Sequence, residues 1–477
     1  VKNRWFKSIT ALLLASSMCF AMAGCGAEKE ASVTTLEPME KEESNAVSFN
    51  FIGGKDVMPI GIFDGPHESK WNQDGNVGPN YISDEYYQLL KEAGINLVVE
   101  SKANWLTSRE SLKKSLELAE KYGLGVFVGD HNITWNYDIT AEEANQYLSE
   151  YFDYPAFCGI TLLDEPNVPF YNRDGNANRN LDLFTTMAKV LQEEYGIHCS
   201  VNLYNAGQAW TASSRETYIR YVNTCFDELD PSIYCYDMYP HSSDPTKVDL
   251  SKVLWNMDLF RRKALEDGKP YWTYLATGGQ WLLNTVDATK KPYFPNEPQF
   301  DWYMNCHLSF GCQGFIYYMC FPELRSDTAV GTDWDHYEMG MFGEFGNKNQ
   351  WYYFVENSSK HIAVIDEVLM NSVSKGVIGG NEAVMEGLKF CESTIKSGKF
   401  RELESVDGEA LVGCFNYNGK TALYVTNYSL EYANKIDLNL NGKYKMRVVQ
   451  DAKTSYVKGS KLTLDMAAGE GVLVVFE

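Results

Sequence analysis

The chain of 477 residues is 44% hydrophobic and 14% aromatic. That composition supplies a large core, excludes a disordered protein and leaves room for two or three domains. With 42 Lys and Arg against 64 Asp and Glu the formal charge is −22, and no basic stripe stands out along the chain. This excludes nucleic acid as a partner and suits a neutral or cationic ligand better than a polyanion.

The amino-terminal 48 residues read as targeting and tether. Lys2, Arg4 and Lys7 precede an apolar segment over 9–23 that is short for a bilayer span. It ends in Met-Ala-Gly-Cys at 22–25, which resembles the cleavage site of bacterial lipoproteins. The resemblance implies a signal peptide over 1–24 and a lipid on Cys25. It also implies a cell-membrane location, lipid-anchored and facing the extracellular side, with that anchor as the only membrane contact. An ordinary cleaved secretory signal is the other reading. Residues 25–48 are acidic and lack apolar periodicity, as a flexible tether would. The fold is expected to begin near Phe49. Cys158, Cys199, Cys235 and Cys320 lie in apolar runs without C-x-x-C spacing, so they read as small buried hydrophobes. No zinc signature is present, and no cofactor or metal is expected.

From residue 57 short apolar runs alternate with longer helical patterns. The expected strands are 58–63, 95–100, 124–129, 157–163, 198–204, 232–239, 270–276 and 314–321. Between them lie amphipathic segments such as 108–123, with Leu112, Leu116 and Ala119 on one face. Gly94, Gly123, Gly196 and Gly268 stand where helices end before the next strand. Eight such rounds, with no G-x-G-x-x-G after the first, predict an α/β fold of the (β/α)8 TIM-barrel type over 49–372 rather than a doubly wound sheet. Its last helix falls at about 346–372. Beyond it the pattern turns to alternating strands joined by Asn-Gly turns, at 418–419 and 441–442, which predicts a small antiparallel β-sandwich domain over 373–477.

In a barrel the functional groups come from the carboxyl ends of the strands. In chain order those places offer Asp64 with His67, Glu100, Asp130 with His131, the adjacent pair Asp164 and Glu165, and Asn202 with Asn205 and Trp210. Then come Asp237 with Tyr239 and His241, Gln280 with Trp281, and Glu323 with Asp327. Six of the eleven tryptophans (71, 105, 135, 210, 281 and 334) fall in these loops. Flat apolar rings beside acids and amides suit sugars, whose C–H faces stack while their hydroxyls seek hydrogen bonds. Pro166 ends the fourth strand directly after the two acids. A carboxylic acid at the floor of an aromatic pocket has the raised pKa that protonation of a glycosidic oxygen needs.

Asp164-Glu165-Pro166 resembles the Asn-Glu-Pro of (β/α)8-barrel glycoside hydrolases, in which the Glu is the acid/base. The resemblance implies Glu165 as general acid/base and Asp164 as its substrate-orienting neighbour. Members of that group place a nucleophilic Glu at strand seven, where this chain reads Tyr-Leu-Ala-Thr-Gly-Gly-Gln-Trp at 274–281. Asp237 or Glu323 could replace it, or the substrate's own acetamido group could act, as in hexosaminidase-type enzymes. The Tyr-Asp at 236–237 also resembles the strand-six motif of chitinase-like enzymes.

The expected function is a surface-anchored glycoside hydrolase acting on extracellular poly- or oligosaccharide, with Glu165, Asp164 and Asp237 catalytic. Asp64, Glu100, Asp130, His131, Asn202, Trp210, Tyr239, Gln280, Trp281 and Glu323 are its expected substrate contacts. The alternative is a glycan-binding lipoprotein on a barrel that no longer catalyses. A solute-binding lipoprotein would need two hinged lobes, which eight rounds followed by a β-domain do not supply.

Overall fold

The computed structural model describes residues 33–68, 80–99, 108–134, 140–166, 179–206, 214–240, 248–278, 295–321, 340–343 and 346–477. Residues 33–477 form one compact unit. Eight parallel strands close into a barrel: β1 Ile60–Phe63, β2 Leu97–Val99, β3 Gly125–Val128, β4 Phe157–Asp164, β5 His198–Leu203, β6 Ile233–Asp237, β7 Tyr271–Ala276 and β8 Phe315–Tyr318. All eight expected strands are present. β8 returns to β1, with Ile316 opposite Gly61, so no edge remains.

Barrel strands are buried on both faces, which is why each reads as an apolar run without polar alternation. Their side chains still divide by parity. Val98, Val201, Leu203 and Leu275 join the outer core beneath the helices. Leu97, Val99, Phe127, Cys235, Trp272, Tyr274 and Ile316 fill the barrel. Phe49 closes its lower end, with ring contacts to Phe127, His198 and Trp272.

The described helices between the strands are α1 Asp84–Glu92, α2 Arg109–Tyr122, α3 His131–Thr134, α4 Ala141–Ser149, α5 Arg179–Glu194, α6 Arg215–Leu229, α7 Leu250–Asp267 and α8 Glu297–Ser309. α9 Gln350–Ile362 and α10 Asp366–Met370 follow β8. Local chemistry sets their ends. Thr140 and Glu143 form a capping box before α4, and Gly123 and Gly268 end α2 and α7 at φ of 68° and 67°. Eight of the nine described cysteines are buried, as small apolar side chains.

The carboxyl-terminal part contains β9 Ser372–Gly379, α11 Glu382–Gly387, β10 Leu403–Asp407, β11 Ala410–Tyr417, β12 Lys420–Asn427, β13 Asn434–Gln450, β14 Lys453–Met466 and β15 Gly471–Phe476. Its seven strands make one antiparallel sheet, ordered β10-β13-β15-β12-β11-β9, with β14 beside β13. Period-two alternation gives the sheet two buried faces. Leu411, Phe415, Ala422, Tyr424, Leu473 and Val475 pack toward the barrel, while Val412, Cys414, Leu423, Val425, Val472 and Val474 build the domain's own core. Asn418 and Gly419, at φ of 52° and 87°, form the expected hairpin turn.

The second Asn-Gly does not turn the chain. β13 runs through Asn441 and Gly442, and its pairing with β14 shifts register between Asn439 and Tyr444. Bonds from distant segments hold that irregularity. Thr34 N donates to Lys443 O at 2.8 Å, Lys443 N donates to Thr34 Oγ1 at 3.0 Å, and Asn441 N donates to Glu402 O at 3.0 Å.

The same contacts revise the expected tether over its described part, 33–48. This stretch lies along the β-domain because its backbone finds partners there. Met39 N donates to Gly419 O at 2.8 Å, Asn416 Nδ2 donates to Glu40 O at 2.8 Å, and Lys375 pairs with Glu42 at 2.5 Å.

The barrel and β-domain meet across α7 and α8. Ten of the thirteen residues of α8 are buried, since the helix is covered by the barrel on one side and the sheet on the other. Its Asn305 accepts from Tyr424 at 2.7 Å and donates to Gly469 O at 2.8 Å, and Trp302 Nε1 donates to Tyr428 O at 2.8 Å. From α7, Arg261 donates to Ser374 Oγ and O, both at 2.8 Å, and to Ser393 Oγ at 2.6 Å.

Candidate active site

Asp164 reaches the barrel mouth through an irregularity in β4. Thr161 pairs with Ser200 of β5, but Leu163 pairs with Val201 and Asp164 with Asn202, so the register slips by one residue between Thr161 and Leu163. Strict alternation from the inward Thr161 would aim Leu163 into the barrel and Asp164 at the helices. The bulge reverses this, as bulges beside active sites do. Asn202 Nδ2 then donates to Asp164 Oδ1 at 2.8 Å.

Glu165 follows with φ of 48°, a left-handed conformation that costs a non-glycine residue roughly 1–2 kcal/mol. Its backbone N–H donates to Asn202 O at 2.8 Å, and Tyr221 of α6 donates to Pro166 O at 3.1 Å. Bulge and left-handed turn together send two adjacent side chains to one place. The Glu165 carboxyl is hydrogen-bonded to Asp237 at the end of β6 and to the hydroxyl of Tyr204 just beyond β5.

Asp237 is 5% exposed. Burial, then the charge and hydrogen bond of Glu165, then the charge of Asp164 hold its carboxyl well above the usual range. The like charge of Glu165 thus acts on Asp237 in the same direction as its burial. Asp237 Oδ1 and Asn202 Oδ1 are buried and have no hydrogen-bond partner among the described residues. Asn205 Nδ2 donates to Asp237 O at 3.1 Å and fixes the strand end.

Tyrosines surround the acids. Burial, followed by the charges of Glu165, Asp237 and Asp164, pushes Tyr204 up to about 12. Tyr274, the register partner of Asp237 on β7, is buried and feels Asp164, Asp237 and Asp64. Tyr239 stacks on Tyr318 of β8 at 5.8 Å. Asp64, at the end of β1, is 2% exposed and has φ of 50°. Its neighbour Phe63 packs edge-on against Tyr274 at 5.4 Å.

Of the residues expected from sequence, Asp164, Glu165, Asn202 and Asp237 therefore converge, with Asp64 and Tyr239 around them. Asp130 is committed elsewhere. Its carboxylate accepts from Tyr151 at 2.7 Å and from Asn132 N and Nδ2 at 2.9 Å each, and Arg109 Nε lies 3.4 Å away. That network ties α2 and α3 to the residues after α4, so Asp130 serves the scaffold. His131 begins α3. His67 is buried between Tyr81 and Phe321. Glu100, Trp210, Gln280, Trp281, Glu323 and Cys25 lie outside the described residues, as do His241, Asp327 and the six loop tryptophans.

Tyr204 and Tyr274 were not foreseen. The available signal for Tyr274 is parity, since Trp272, Tyr274 and Ala276 share the inward face of β7. Tyr204 is simply the first residue past β5. Those β7 positions also offer no acid, in keeping with the strand-seven departure visible in sequence.

No family model and no curated protein matches the chain. Comparison with solved structures finds a putative alpha-L-fucosidase from Bacteroides thetaiotaomicron VPI-5482, 15% identical, covering 61% of this chain and 94% of that one at a TM-score of 0.39. It also finds a GH30 endoxylanase from Clostridium papyrosolvens C71, 12% identical, covering 93% and 98% at 0.42. A GH2 beta-galacturonidase from Eisenbergiella tayi is 13% identical, covering 64% of this chain and 51% of that one at 0.41. The solved structures it resembles are glycoside hydrolases. At these identities the roles of individual residues rest on the geometry described above.

Proposed function

We propose that the protein is a glycoside hydrolase, anchored at the cell surface through Cys25, in which Glu165 protonates the leaving oxygen. The observation that carries this reading is the buried hydrogen bond between Glu165 and Asp237 at the carboxyl end of the barrel. Burial and the Glu165 charge raise the Asp237 carboxyl, and a neighbour that holds a proton and can pass it to Glu165 is what this reading requires.

The contact also bears on mechanism. A retaining pair stands about 5–5.5 Å apart and an inverting pair roughly 6.5–9.5 Å, to leave room for the sugar or a water. Carboxyls in direct contact do neither, so Asp237 holds and returns the proton of Glu165 and is a positioning residue. The oxocarbenium-like centre is then met by another acid, for which Glu100 and Glu323 are the candidates, or by the substrate's own substituent. Asp164, held by Asn202, orients the sugar beside it.

The experiment is release of reducing ends from a panel of glycans by wild type and Glu165→Gln. The reading expects at least one substrate to be cleaved by wild type, with turnover reduced roughly 10²–10⁴-fold in the variant and binding retained. Near-normal turnover by Glu165→Gln would refute the assignment. The second reading, a non-catalytic glycan-binding protein, draws on the acid-free inward face of β7. It expects saturable binding of an oligosaccharide and no product from any glycan.

A further inference from the structure

Two neighbouring positions at the barrel mouth each hold a buried polar atom without a hydrogen bond. Tyr274 on β7 is the register partner of Asp237 on β6. Alternation from Trp272 and Cys235, which fill the barrel, turns both side chains inward. Tyr274 is 1% exposed and Asp237 5%. The Tyr274 hydroxyl and Asp237 Oδ1 have no hydrogen-bond partner among the described residues. One is a donor and the other an acceptor.

Folding alone does not explain that hydroxyl. A buried O–H without a partner is destabilising, and phenylalanine would fill the same space without it. Other tyrosines that face Asp237 are engaged or lie elsewhere. Tyr204 bonds Glu165, Tyr218 donates to Tyr204 O at 2.6 Å, and Tyr221 donates to Pro166 O at 3.1 Å. Tyr303 of α8 belongs to the outer core, and Tyr239 stacks its ring on Tyr318. The acids that act on Asp237 are Glu165 and Asp164.

The proposed reaction supplies the missing match. Burial and the Glu165 charge favour a proton on Asp237. That proton passes to Glu165 and on to the leaving oxygen, while the electron pair of the glycosidic C–O bond goes to the same oxygen. Asp237 is then a carboxylate in a place that disfavours charge. A phenol O–H donating to a carboxylate makes a charge-assisted bond, strong where water is excluded. A bond made only in the charged state raises kcat without tightening substrate binding.

We infer that Tyr274 is a positioning residue whose hydroxyl donates to Asp237 when that carboxyl loses its proton. This gives β7, whose inward positions offer no acid, a part in the reaction. The inference rests on the reading in which Asp237 returns the proton of Glu165, and it is tested apart from that reading.

The test is Tyr274→Phe, which removes one oxygen and keeps the ring against Phe63. On any glycan that wild type cleaves, kcat should fall roughly 10- to 100-fold with KM unchanged. Losing a donor to the charged form raises a carboxyl's pKa, so the limb of the pH–rate profile that reports loss of this proton should move to higher pH. Below that limb the melting temperature should hold or rise, because the deleted hydroxyl has no partner there. In a Glu165→Gln background, Tyr274→Phe should add no further loss. An NMR titration of isotope-labelled aspartate, with Asp237 identified through Asp237→Asn, needs no substrate. It should show the Asp237 carboxyl titrating at higher pH in Tyr274→Phe than in wild type. Titration at the same pH, or unchanged kcat where Glu165→Gln is inactive, overturns the inference. A lowered melting temperature with an unmoved limb assigns the hydroxyl to the fold and overturns it too. Near-normal turnover by Glu165→Gln alongside the shifted titration would refute the acid assignment and leave the Tyr274 bond supported.

Discussion

Glu165 occupies a left-handed backbone conformation and shares a hydrogen bond with the buried carboxyl of Asp237, two unfavourable features at one residue. Strain and a close like charge are tolerated where they serve chemistry, and here burial and the charge of Glu165 hold the Asp237 carboxyl above its usual range. The cost is measurable at Asp237. Its folded pKa lies above the free value, so the stability tied to this group is complete at low pH and is lost as pH rises through the folded pKa. Asp237→Asn should flatten the decline of melting temperature as pH rises above the free carboxyl range. The same variant should lower kcat/KM by roughly 10²-fold and shift the limb of the pH–rate profile that reports the acid. A steeper decline, or an unchanged profile, would contradict the proton-sharing pair. The two acids and Asp237 were legible in sequence because each ends an apolar run. Tyr204 and Tyr274 were not, since tyrosines in buried strands read as core until the facing carboxyls are placed.

At the scale of elements, all eight barrel strands were legible, because apolar runs of four to eight residues between amphipathic helices have few other uses. The bulge in β4 was not. Nothing in Phe157–Asp164 marks it, and it is fixed by pairing with β5, yet it decides which way Asp164 points. The two Asn-Gly pairs make the same point. One turns a hairpin at 418–419 and the other sits inside β13, held by residues 34 and 402 that are remote in sequence. Close packing of α8 on β11 is likewise a tertiary fact. A Cβ at Gly413 would lie 2.2 Å from Ser309 O, a backbone atom that cannot swing aside. Gly413→Ala should therefore cost about 1–3 kcal/mol and lower the melting temperature, while kcat for the same substrate stays unchanged.

At the scale of the molecule, the barrel and β-domain share a polar seam as well as an apolar one. The hydroxyl of Tyr424 donates to Asn305, so the His361 Nε2 that lies 2.8 Å from it must be the donor of that bond. Burial pushes His361 down to about 4, below its free value of 6.5. Stability from keeping it neutral is thus complete above pH 6.5 and lost as pH falls toward 4. Fluorescence and circular dichroism should report one coincident acid transition for both domains, and His361→Gln should make it less steep. Separate transitions would show that the seam does not couple them. That coupling was hidden from sequence, where the change from helical to strand periodicity near residue 372 marks a boundary but says nothing about what crosses it.

The central claim is that Glu165 donates the proton to the leaving group, and leaving-group dependence tests it most directly. On aryl glycosides of whichever sugar is cleaved, kcat/KM of Glu165→Gln relative to wild type should fall steeply with poor leaving groups. It should recover toward unity with dinitrophenol, which departs without protonation. A loss of the same size for every leaving group, or no loss with the poorest, would contradict the assignment.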